Sequence, residues 1–272
     1  MRKQAKVTHS HPTGRGIRTA PGGQRSALRG ENATLSAGSP LLPAEIIRRL
    51  EPLYGPAAWQ PRREPAPELV VTILSQHTSD LNAERSYEQL MRAFGSLEAV
   101  AQAPEGDIAE AIRKGGLANQ KAPRIKGALR QIQAQRGSLD LSFLGDLPLE
   151  EAKAWLTAMP GVGKKTAAVV LCFSFGMPAM AVDTHVHRVA QRLGLIGPKV
   201  SADRAHEILE AMVAPEDVYR FHLYLITHGR RICKAPHPLC QRCPLASGCP
   251  TGMAQLALAQ GEALPALRRG AM

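Results

Sequence analysis

Apolar side chains recur at steps of three and four along most of the chain, the signature of helices that bury one face. Ile46, Ile47, Leu50, Leu53 and Tyr54 predict a first helix from Pro43, stopped by Gly55 and Pro56. Glu68 to Gln76 is rich in β-branched residues, yet no neighbouring segment reads as a partner strand, so it is taken as a buried helix. Tyr87, Leu90, Met91 and Phe94 form one stripe over Asn82 to Phe94, ended by Gly95. Pro104 to Lys114, Gln120 to Arg136 and Pro148 to Met159 follow, punctuated by Gly115-Gly116, by Gly137, and by an acidic opening turn at Glu150 and Glu151. Lys165 to Phe175 is almost wholly apolar and predicts the central helix of the core. Thr184 to Leu193, Ala202 to Val213 and Glu216 to His228 complete about ten helices, with no convincing strand and no repeat. The predicted class is all-α.

Residues 1–40 break this pattern. They hold Gly, Ser, Thr and Pro with few large apolar residues, and seven basic side chains against Glu31, which predicts a disordered basic tail. The whole chain, 272 residues and 44% hydrophobic, is long enough for one large domain or two small ones. Its formal charge is +11, which favours a polyanionic partner such as nucleic acid. The tail contributes six of those charges, so phosphate contacts in the folded part must be placed rather than numerous. No apolar run approaches the roughly 20 residues of a membrane span. The N-terminus has no apolar segment of a secretory signal, and a bacterial cytoplasmic protein is expected, with an organelle transit peptide as the alternative.

Met159 to Ala167 (MPGVGKKTA) carries the first chemical signal. Pro160-Gly161-Val162-Gly163 joins two helices by a tight turn whose glycines permit positive φ and leave amides uncovered. Bare amides at a helix start make an anion seat suited to a DNA phosphate. Lys164 and Lys165 follow at the positive end of a helix, against local preference, so an outside partner or a chemical role must compensate. A nucleotide P-loop needs Gly where Ala158 stands and Ser or Thr where Lys165 stands, and fails on both counts. Asp183, in Val182-Asp183-Thr184-His185, caps the helix that begins at Thr184. His185 and His187 lack companion ligands at useful spacing for a metal.

Cys233, Cys240, Cys243 and Cys249 are separated by six, two and five residues, which points to a metal centre. Spacing alone leaves zinc and iron-sulfur both open. Lys234, Arg242, Arg230 and Arg231 lie nearby as cations for phosphates, whereas Cys172 sits inside the apolar helix as a buried thiol.

The hairpin, the Asp-bearing motif and the cysteine spacing together resemble the endonuclease III family of base-excision DNA glycosylases, over approximately Pro43 to Pro250. The family hairpin begins with Leu, where this chain has Met159. The resemblance implies that Gly161, Val162, Gly163, Lys164 and Thr166 hold a DNA backbone phosphate. It further implies that Lys165 is a nucleophile forming a Schiff base at a damaged nucleoside, that Asp183 stabilises the cationic sugar, and that the four cysteines hold a [4Fe-4S] cluster. Lys164 and the helix end would then disfavour the charged form of Lys165. Because a base must leave the stack to be attacked, insert residues are required. The resemblance assigns Leu117 and Asn119 in Gly116 to Asn119, and Gln76 and His77 in Ser75 to Asp80, with His77 standing where the family usually has Gln.

The implied fold is a six-helix domain (60–178) carrying the hairpin and a second helical domain (41–59 and 179–250) carrying the cluster loop, with a C-terminal tail (251–272). The implied partner is damaged double-stranded DNA bound by a monomer, and the implied activity is removal of oxidised pyrimidines followed by β-elimination. Two alternatives remain: a DNA-binding paralogue that has lost catalysis, and a monofunctional adenine-mismatch glycosylase. The latter lacks the lysine and carries a Glu in the stretch that here reads VVTILSQ.

Overall fold

The computed structural model describes residues 41–260, and over them the chain is helical without a strand. The basic tail at 1–40 and the end of the C-terminal tail from residue 261 lie outside the described residues. Twelve α-helices follow in order: α1 (Pro43–Tyr54), α2 (Pro65–Leu74), α3 (Asp80–Phe94), α4 (Leu97–Gln102), α5 (Glu105–Ala111), α6 (Ala118–Arg136), α7 (Leu149–Thr157), α8 (Lys164–Phe175), α9 (Thr184–Leu193), α10 (Ala202–Met212), α11 (Val218–Arg231) and α12 (Pro250–Ala259). The run from Glu68 is helical, as its lack of a partner strand required, but α2 starts earlier because Pro65 fits a first turn.

Three expectations are corrected. Pro104 to Lys114 is not one helix: α5 ends at Ala111 and a 3-10 turn, Arg113–Gly115, follows. The six-residue α4 went unseen because it is too short to show a period; Ser96 caps it, accepting from the Ala99 amide at 3.2 Å. The expected tail after Cys249 is helical at its start, since Pro250 opens α12 and the Cys249 sulfur accepts from the Gly252 amide.

Helix α8 is the hub. Ala167, Val170 and Leu171 have no exposed surface, and α8 packs on α2, α7 and α10. Helix α1 lies against α11, which also packs on α9, so the start of the described chain is tied to the C-terminal helices. Its apolar stripe explains this: Ile46, Ile47 and Leu50 are buried, while Arg48 on the other face is exposed.

One core residue runs against composition rules. Glu68 on α2 is completely buried, paired with Arg62, and its Oε2 accepts from Arg62 Nε at 2.9 Å while Arg63 stands 3.5 Å away. Thr72 Oγ1 also donates to it at 3.3 Å. Removing one partner of a fully buried pair costs about 3–5 kcal/mol. Because the Arg62 side chain is 44% exposed and can be rehydrated, Glu68→Ala is expected to cost less, about 2–3 kcal/mol, read as the shift of a urea unfolding midpoint.

Candidate active site and nucleic-acid interface

The hairpin between α7 and α8 is built as its glycines require. Gly161 has φ +77°, and a Cβ there would lie 2.7 Å from the Arg124 side chain, so both conformation and space exclude larger residues. Gly163 is the N-cap of α8 and supplies no side-chain cap, so the first amides of a twelve-residue helix stay open. The side chains of Val162 and Thr166 are buried and the Val162 amide donates to the Met159 carbonyl at 3.2 Å, so what the hairpin offers an anion is the run of open backbone amides that starts α8, Thr166 among them. The hairpin is lashed to the end of α2: Gln76 Nε2 donates to the Gly161 carbonyl at 3.2 Å, and Arg124 donates to Gln76 Oε1 at 2.8 Å.

The two lysines part company here, since successive helical residues point about 100° apart. Lys164 donates to Glu207 Oε1 on α10 at 2.8 Å, which also binds Arg204. The expectation that Lys164 is uncompensated within the chain is therefore corrected. Lys165 turns instead into a cleft of about 130 Å³, which Asp183 also lines. Asp183 caps α9 with one oxygen only: Oδ1 accepts from the His185 and Val186 amides at 2.9 and 2.7 Å. Capping thus leaves Oδ2 uncommitted to backbone.

Other walls of this cleft were not foreseen. Arg62 lies 4.4 Å over the Phe173 ring, a cation-π contact anchored by Glu68. His222 on α11 is buried, and its Nδ1 lies 2.8 Å from the Ala181 carbonyl oxygen, so that nitrogen carries the hydrogen. Burial pushes this imidazole below its ordinary pKa, outweighing the opposite pull of Asp183. Arg230, expected beside the cysteine loop, instead donates to Asp80 Oδ2 at 2.7 Å on the cleft wall. A histidine on the buried face of an amphipathic helix and an ion pair spanning 150 residues leave no local pattern.

The insert candidates share a conformation. Leu117 (φ +53°) and His77 (φ +55°) are the non-glycine residues with positive φ among the described residues. Such backbone costs roughly 1–2 kcal/mol. Leu117 is 44% exposed despite being apolar, and His77 and Asn119 are exposed as well. His185 contacts Arg188, and His187 Nε2 lies 2.8 Å from the Val200 carbonyl.

Cys233, Cys240, Cys243 and Cys249 ring one apolar cavity. Burial raises the thiol pKa of Cys240 and Cys249, and that of Cys243 to about 11. Among the described residues no three His, Cys, Asp or Glu converge tightly enough for a single metal ion. Four sulfurs around a shared cavity are a donor set that would suit an iron-sulfur group. Nitrogen groups already face three of them: Arg192 and Cys233, His228 Nε2 and Cys243, and the Gly252 amide and Cys249, each at 3.3 Å. Cys172 is buried on α8, its thiol pushed up to about 12.

Comparison with known proteins places this geometry. Residues 70–215 match the family described as HhH-GPD superfamily base excision DNA repair protein. Endonuclease III of Thermotoga maritima is 36% identical over 189 residues, spanning 68% of this chain and 83% of that protein. Endonuclease III of a Synechocystis species is 36% identical over 214 residues, 77% of this chain and 92% of the relative. A solved non-covalent Endonuclease III-DNA complex superposes with a TM-score of 0.67 at 29% identity, covering 79% of this chain and 99% of that one. With its all-α architecture and cleft, the chain belongs to the HhH-GPD superfamily of base excision DNA repair proteins and, within it, to the endonuclease III family of DNA glycosylases.

Proposed function

We propose that the chain is a bifunctional glycosylase and abasic-site lyase that removes oxidised pyrimidines from duplex DNA. The observation that supports this most is the single cleft lined by both Lys165 and Asp183. In this reading DNA lies across the junction of two helical lobes, residues 60–178 giving the lysine and residues 41–59 with 179–250 giving the aspartate. The open amides from Gly163 to Thr166 hold a backbone phosphate. Leu117 and the Gln76-His77 turn fill the gap when a damaged nucleotide rotates out, with Asn119 beside them.

The neutral Lys165 amine attacks the sugar at C1′. The glycosidic bond breaks, and its electron pair leaves with the base, which takes up a proton. Asp183, held by its cap bonds, opposes the positive charge that grows on the sugar. The opened sugar is then a Schiff base of Lys165; loss of a C2′ proton expels the 3′ phosphate, and water frees the amine.

Cys233, Cys240, Cys243 and Cys249 would hold a [4Fe-4S] cluster, which when bound supplies a covalent staple and an electron-transfer centre. The residues 233–249 are thereby fixed as a loop, with Lys234 and Arg242 exposed on it. Purified chain is expected to contain about four irons and four sulfides; stoichiometric zinc without iron would overturn the assignment.

Borohydride trapping tests the activity. Duplexes carrying a panel of oxidised pyrimidines are expected to give a covalent adduct, and undamaged duplex none. Absence of adduct on every lesion would overturn the lyase chemistry, and base release on the same duplexes would then separate a monofunctional glycosylase from a DNA binder.

A further inference from the structure

Lys121 is among the largest fully buried side chains of the described residues and has no carboxylate partner among them. Its ammonium donates instead to two carbonyls, of Leu74 at 2.7 Å and of Gly115 at 3.2 Å. Both lie at the end of a helical turn, where carbonyls lack intrahelical partners and carry partial negative charge. Leu74 closes α2, and after the Ser75 cap come Gln76 and His77. Gly115 closes the 3-10 turn that leads to Leu117.

The backbone of Lys121 holds the same loop again, since its amide donates to the Leu117 carbonyl at 3.0 Å. On the opposite side Gly115 presses on α3, where any Cβ would collide with the buried Ser86 hydroxyl. One residue therefore grips both segments that carry the left-handed, exposed residues His77 and Leu117. An unpaired buried ammonium is a costly way to fill space, and a methionine would serve for packing alone.

We propose that Lys121 is the positioning residue of damage probing: it fixes the separation of the two insert loops, so that Leu117 and the Gln76-His77 turn enter the duplex as one rigid unit. This rests on the insert roles assigned above and adds the element that couples them. A displacement of about 1 Å at such a site costs on the order of 10²-fold in rate.

The test compares two DNAs. Lys121→Met is expected to slow excision of an oxidised pyrimidine from duplex by about 10²-fold. Schiff-base trapping on a single-stranded abasic oligonucleotide, which needs no extrusion, should stay within about threefold of wild type. Adding Leu117→Ala should then cost little more on duplex, because the two changes disable one device. Equal losses on both DNAs, or fully additive losses with Leu117→Ala, overturn the proposal and leave a merely structural lysine. If Lys121→Met does not fold, Lys121→Gln, which keeps N-H donors on a shorter stem, is read by the same two ratios. Wild-type protein that traps neither DNA overturns the bifunctional reading, and this proposal with it.

Discussion

Lys165→Ala is expected to abolish the borohydride-trapped adduct and to slow strand cleavage at an abasic site by on the order of 10³-fold or more. The substitution removes the only group that the proposed chemistry attaches to the sugar, so no residual adduct is anticipated. Stability should change little, because Ala is the strongest helix former and the site is at the first turn of α8. Binding to a duplex holding an uncleavable abasic analogue should also persist, since the open amides of the hairpin belong to the backbone. Lys164→Ala is the internal control: it breaks an exposed pair with Glu207, worth roughly 1 kcal/mol or less, and leaves the adduct intact. An adduct that survives in Lys165→Ala, or vanishes only in Lys164→Ala, would move the nucleophile elsewhere.

Asp183 has two duties that different substitutions separate. Asn caps a helix about as well as Asp, so Asp183→Asn is expected to keep the bonds to the His185 and Val186 amides and to melt near wild type. It loses the negative charge facing the sugar, and base excision should fall by about 10² to 10³-fold. Asp183→Ala loses the cap as well and should be destabilised by about 1 kcal/mol beyond the same kinetic defect. Single-turnover excision rates beside thermal melts decide this. Full activity in Asp183→Asn would make the residue a cap and nothing more.

The hairpin before Lys165 and the Asp183 cap were legible in the linear chain, for a physical reason. A tight glycine turn at a helix start and an aspartate at a helix cap are local constraints, written within a few residues of each other. The four cysteines are similar, since residues of one short segment reach a shared cavity without a long excursion of the chain. Helix boundaries were less legible wherever elements were short, as with α4, or where proline opened a turn early, as in α2 and α12.

Across the described residues the amphipathic period, the glycine and proline stops and the motif spacings determined the all-α class, the hairpin and the Asp183 cap, because each is encoded over one or two helical turns. Only the tertiary structure decided which charges are spent within the chain. It paired Lys164 with Glu207, Arg230 with Asp80, and Arg62 with buried Glu68, and it set His222 against the cleft and Lys121 against the Leu74 and Gly115 carbonyls. Such partners are often tens of residues apart, and a charge carries no mark of the partner that folding will bring to it.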